Sequence, residues 1–148
     1  MYKSATTSCL PSLLFILPSL SSPQINSWMA QLATDHPDLC KLEKVGTSFE
    51  GRTMNLLTLG SGGADKPGIF IDGGIHAREW ISPATVTYMV NELVTNRDTY
   101  SDLLSSVNFY VMPSINPDGY SYTFTDVSVS FQHTRPMSHH LLPSSKAP

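Results

Sequence analysis

Cysteine is scarce in this chain, with only Cys9 and Cys40 in 148 residues. Cys9 lies in the apolar stretch near the N-terminus and would leave with it, so Cys40 stands unpaired and a disulfide framework is not supported. Charge is also thin. Nine basic residues are scattered singly against twelve acidic ones, a net charge of -3, which provides no electrostatic footprint for nucleic acid. No apolar run is long enough to span a bilayer: the longest, Cys9 to Leu20, falls short of the length a transmembrane helix needs. No internal repeat is visible. What remains is the composition of a soluble globular protein, 41% hydrophobic and 14% charged, long enough for one domain.

The pattern along the chain alternates helices with strands. Ile25, Trp28, Met29 and Leu32 fall at helical spacing, so Pro23 to about Thr34 is predicted as an amphipathic helix ending before Asp35-His36-Pro37-Asp38, with His36 at its C-terminal end. Leu42 to Val45 and Thr53 to Leu59 are predicted as strands around a Gly46 to Arg52 connection, and 61–67 as a loop. Gly68 to Ile71 reads as a short, continuous apolar strand of the kind buried on both faces. Pro83 can open a helix whose apolar stripe is Val86, Met89, Val90, Leu93 and Val94. Leu103 and Leu104 fit a short helix, Val107 to Met112 a further strand, and Pro113 to Gly119 a turn. This alternation gives the class α/β.

The chemistry concentrates at Asp72-Gly-Gly-Ile-His-Ala-Arg-Glu-Trp80, directly after the third strand. His76 and Glu79 stand three residues apart, the spacing of two ligands for one zinc ion, and a catalytic zinc usually takes three protein ligands of this type. Gly73 and Gly74 would let the backbone turn where α/β proteins place their sites. By itself a His-x-x-Glu is equally compatible with a surface imidazole and a solvated carboxylate.

Three segments together carry a family resemblance. Gly74-Ile-His-Ala-Arg-Glu-Trp-Ile-Ser-Pro-Ala-Thr85 resembles the zinc-binding segment of the carboxypeptidase A/B family of metallocarboxypeptidases; Thr47-Ser-Phe-Glu-Gly-Arg-Thr53 and Asn116-Pro-Asp-Gly-Tyr-Ser-Tyr-Thr123 resemble two others, in the family order. The resemblance implies a mixed eight-stranded sheet flanked by helices, of which residues 23–123 would contribute about half. It implies a zinc cofactor held by His76 and Glu79, with Arg78 in the cleft contacting the peptide upstream of the cleaved bond. The reaction implied is removal of the C-terminal residue of a peptide or protein by zinc-activated water, and the localisation implied is secreted. Nothing in the sequence bears on oligomeric state. Asp118 invites a catalytic role, but between Pro117 and Gly119 it is read as a turn residue.

The resemblance is not sustained after Thr123. The third ligand, the general base, the oxyanion cation and the carboxylate-binding cation of the family all come from beyond that point, and no glutamate follows Glu92. No catalytic residue is therefore assigned. His133, His139, His140 and Arg135 are interspersed with Ser, Pro and Thr without periodicity, so residues 124–148 are expected to be a solvated tail. Residues 1–22 read as a signal peptide or an apolar leader, with Ser21-Ser22 as a small-residue cleavage site. The family's pro-domain has no counterpart between residue 22 and the catalytic pattern. The expectation is an incomplete, inactive product. A second possibility is a non-catalytic fragment that binds zinc weakly or binds a partner, and a third is a gene-model product that never accumulates.

Overall fold

The computed structural model describes residues 20–125 apart from positions 62 and 64. Helix α1 (Ser22–Asp35) opens at Ser21, whose backbone N–H and hydroxyl both donate to Gln24 Oε1 at 2.8 Å, and has Pro23 in its first turn, where a missing N–H costs nothing. Its apolar stripe buries Ile25 and Met29, with Trp28 and Leu32 packed beside them. The helix stops at His36, which caps it as expected, its backbone N–H donating to Leu32 O.

Strands β1 (Cys40–Thr47) and β2 (Thr53–Leu59) form an antiparallel hairpin. Its tip turns at Gly51, whose φ of 85° suits glycine. β3 (Gly68–Asp72) leads into the glycine loop and α2 (Ile81–Thr95), then α3 (Ser101–Ser106), β4 (Asn108–Met112) and α4 (Pro117–Tyr122). The sheet order is β1-β2-β4-β3, with β4 antiparallel to β2 and parallel to β3. The result is a mixed sheet flanked by helices, with the α/β class that the sequence pattern predicts and the kind of sheet that the resemblance implies.

Register explains the core. Leu57 opposes Val111 and Leu59 opposes Phe109 across β2 and β4, while Cys40 and Leu42 of β1 oppose Leu59 and Leu57. These residues share one face, and the buried residues of all four helices meet them there: Ile25 and Met29, Val86, Val90 and Val94, Leu104, and Tyr120. Cys40 is a free thiol in this core, pushed up to about 11 by burial first and by Asp38 second, so it stays protonated and inert.

Three sequence expectations need correction. β3 is not buried on both faces: it lies at the end of the sheet order, and Ile69 and Phe70 are 44% and 58% exposed. Hydrophobic runs report burial only when neighbours exist to provide it, and β4 covers one edge of β3 alone. Met89 is not in the α2 core stripe but 42% exposed, because Val86, Val90 and Val94 point at the sheet and Met89 faces aside from them. Asp118 is not in a turn with a positive-φ glycine. Pro117-Asp118-Gly119 forms the first turn of α4, and Gly119 is absent from the positive-φ glycines Gly51, Gly60 and Gly74. Of the leader only residues 20–22, and of the tail only Phe124 and Thr125, fall within the described residues. The remaining tail positions, with His133, Arg135, His139 and His140, lie outside them. No described helix is long and apolar enough to cross a membrane.

Candidate metal centre

β3 and β4 run parallel and end together, Asp72 beside Met112, so the segments leaving both strands emerge on the same side of the sheet. The backbone continues the pairing briefly: Gly73 N–H donates to Met112 O at 3.0 Å and Ile115 N–H donates to Gly73 O at 2.9 Å. The two glycines serve different needs. A Cβ on Gly73 would lie 2.9 Å from Pro113 O, so the strands approach too closely for a side chain, whereas Gly74 takes φ 68° and swings the chain out of the strand. Gly74 N–H then donates to Ser82 Oγ at 3.1 Å, closing the neck of the loop against the start of α2.

Within this loop Glu79 N–H donates to His76 O at 3.1 Å, and Ser82 N–H to Glu79 O at 2.9 Å. His76, Arg78 and Glu79 therefore lie on one tight turn, all three exposed. Among the described residues no third His, Cys, Asp or Glu joins them to form a metal-binding group of three. A cavity of about 430 Å³ lies elsewhere, lined by α1 residues Pro23, Asn26 and Ala30 and by Arg52, Thr53 and Asn55.

A second polar cluster links the hairpin tip to α4. Asp118 accepts hydrogen bonds from Ser48 Oγ at 2.7 Å, from Glu50 N–H at 3.0 Å and from Arg52 Nη1 at 2.6 Å. Ser48's hydrogen bond, then the Glu50 amide and the Arg52 guanidinium, hold the Asp118 carboxyl below its ordinary value against the opposing effect of desolvation. Arg52 also pairs with Glu50, and both carboxylates raise its pKa. The two resembling segments Thr47–Thr53 and Asn116–Thr123 are thus joined in space.

Residue-level reasoning assigned no role to Asn116, Trp80 or Thr123. Asn116 caps α4, its Oδ1 accepting from Gly119 N–H at 3.0 Å, and its Nδ2 donates to Ile75 O at 3.1 Å. An Asn directly before a Pro that opens a short helix is an N-cap signature, so the cap was discoverable from sequence. The contacts of Trp80 with Thr123 and Phe124 had no such local signal.

An α/β sheet that carries a His-x-x-Glu turn at the exit of a parallel strand puts two side chains of zinc-donor type where α/β folds place their sites. Comparison with known proteins makes the class specific. The zinc carboxypeptidase family model matches residues 25–140, and the chain belongs to that family. Carboxypeptidase B of Astacus astacus is 72% identical over 103 residues, which cover 70% of this chain and 34% of that protein. Among solved structures, thrombin activatable fibrinolysis inhibitor aligns with TM-score 0.66 and 34% identity over 72% of this chain and 27% of its own. Carboxypeptidase A from Helicoverpa armigera aligns with TM-score 0.67 and 30% identity over 71% and 26%. The chain thus spans about a third or less of the length of these relatives.

Proposed function

We propose that this chain carries the first part of a zinc metallocarboxypeptidase catalytic centre, in which His76 and Glu79 are two zinc ligands and Arg78 contacts the peptide upstream of the cleaved bond. The observation that carries the reading is the turn closed by Glu79 N–H to His76 O, which puts both ligand residues on one exposed loop at the carboxyl end of a parallel strand pair. Imidazole nitrogen and carboxylate oxygen are both zinc donors, so the residues present fit the ion while giving two of the usual three protein ligands. A zinc ion so held supplies Lewis-acid polarisation of the scissile carbonyl. His76 and Glu79 would hold the ion, and the Arg78 guanidinium, a donor of several hydrogen bonds, would orient the incoming chain through its backbone carbonyls.

The substrate class is peptide and protein C-termini, and the localisation that goes with it is secreted. The 148-residue chain by itself does not turn over. Water activation needs a carboxylate base and the oxyanion needs a cation, and in the resembling family both come from beyond the Asn-Pro-Asp-Gly segment. The exposed edge of β3 favours a second reading, a non-catalytic module that binds zinc weakly and a partner through its open sheet.

The deciding measurement is zinc content and chelator-sensitive release of C-terminal amino acids from mixed short peptides, on chain purified with zinc. The expected outcome is substoichiometric, readily chelated zinc that disappears in His76→Ala and Glu79→Ala, with no release. Stoichiometric zinc with turnover would overturn the inactivity, and zinc retained in both variants would overturn the ligand assignment.

A further inference from the structure

The loop bearing His76 and Glu79 is fastened along its length to one short element. At its start, Asn116 Nδ2 donates to Ile75 O at 3.1 Å while the same side chain's Oδ1 caps α4 by accepting from Gly119 N–H at 3.0 Å. In the middle, α4 comes so close that a Cβ on Gly119 would lie 3.0 Å from Ala77 Cβ and 2.6 Å from Asn116 Nδ2. At its end, Trp80 Nε1 donates to Thr123 Oγ1 at 2.8 Å, and that hydroxyl is itself oriented by donating to Tyr120 O at 2.7 Å. The Trp80 ring stacks on Phe124, centroids 4.6 Å apart and planes 17° apart, and meets Tyr120 edge-on at 6.3 Å. Tyr120 is buried in the core and its hydroxyl donates to Leu20 O at 2.9 Å, so the element that grips the loop is itself anchored.

We propose that α4 is a splint for the ligand loop, with Asn116, Gly119 and Thr123 acting as positioning residues that set the turn between His76 and Glu79 before a metal arrives. The proposal rests on the zinc reading of that loop. A loop already ordered loses less conformational freedom when its side chains close on an ion, so the splint should appear as metal affinity. Groups that orient ligands from outside the coordination shell typically change affinity by about 10- to 100-fold.

Asn116 allows a clean test because its two ends do different work. Asn116→Asp keeps an oxygen to cap Gly119 N–H and replaces the donor to Ile75 O with an acceptor, so α4 is retained and the tether is lost. The full chain is measured in two ways: amide exchange of Glu79 and Ser82 without metal, and calorimetric titration with Zn(II) alone. The expected result is exchange at Glu79 and Ser82 at least about tenfold faster, with protection at Tyr120 unchanged, and Zn(II) affinity lower by about tenfold despite the added negative charge. Thr123→Val, at the other end of the splint, should move both readings the same way and decides the matter if Asn116→Asp fails to fold. Unchanged loop exchange and unchanged affinity in both variants would overturn the splint and leave Asn116 a helix cap only. His76→Ala separates the two ideas: wild-type zinc affinity in that variant sinks the zinc reading, while the exchange data, taken without metal, still judge the splint.

Discussion

Asp118 shows how one side chain can join two distant parts of a fold. It lies in the first turn of α4, where a negative charge suits the helix dipole, and it gathers Ser48, the Glu50 amide and Arg52 from the hairpin tip. Its carboxyl is held below the ordinary value, so the ionised form is favoured by folding. A depressed folded pKa gives stability that is fully present above the unfolded value, about 4, and is lost as pH falls through the folded one. Asp118→Asn should therefore lower the urea midpoint at pH 7, and the gap between variant and wild type should narrow as pH falls below about 4. A gap of constant size across that range would show that charge at Asp118 contributes nothing to the tether. The sequence window Pro-Asp-Gly is compatible with either a turn or a helix start, since Pro suits the first position of both. The partners that hold Asp118 lie 66 to 70 residues away, which no local pattern reveals. The ligand candidates His76 and Glu79 were legible because their spacing is local; the residues that brace them, Asn116 and Thr123, act across the fold.

At the level of elements, the existence of the strands was readable and their place in the sheet was not. Thr53–Leu59 matches its predicted bounds, and Gly68–Asp72 runs one residue past its own. Yet β4 inserts between β2 and β3, an order set by long-range pairing, and this leaves β3 at an edge with Phe70 58% exposed. Phe70 and its β4 partner Tyr110 lie on the face opposite Val111 and Ile71, away from the helices. An exposed edge with apolar side chains is a template for pairing with another chain. Phe70→Lys should reduce self-association of the purified chain, read as lower light scattering at the same concentration, with an unchanged far-UV spectrum. Surface substitutions of this kind usually change stability by no more than about 0.5 kcal/mol. Scattering equal to that of the wild type would place the association surface elsewhere.

At the largest scale, the described residues assemble a core from one side of a four-stranded sheet. All four helices send their buried residues to the face that carries Leu57, Leu59, Phe109 and Val111, while Leu56, Thr58, Tyr110 and Phe70 of the opposite face are half-buried or exposed. Natural domains are stable by only about 5–15 kcal/mol, and a sheet that the described residues cover on one face and leave with an open edge should fall at or below the lower end of that range. Leu57 is fully buried at the centre of this single core, paired with Leu42 on one side and Val111 on the other. Truncating a leucine at such a site costs about 2–5 kcal/mol, through lost transfer energy and the cavity left behind. Leu57→Ala should therefore abolish the cooperative unfolding transition of this chain at 25 °C, and the wild type itself should show a broad melt whose midpoint depends on concentration. Calorimetry and denaturant titration of both proteins check this. A sharp, concentration-independent wild-type melt, with Leu57→Ala still folding cooperatively, would mean that the half-covered sheet is a self-sufficient domain, and a non-catalytic module would then be the better account of the chain than a fragment of an enzyme.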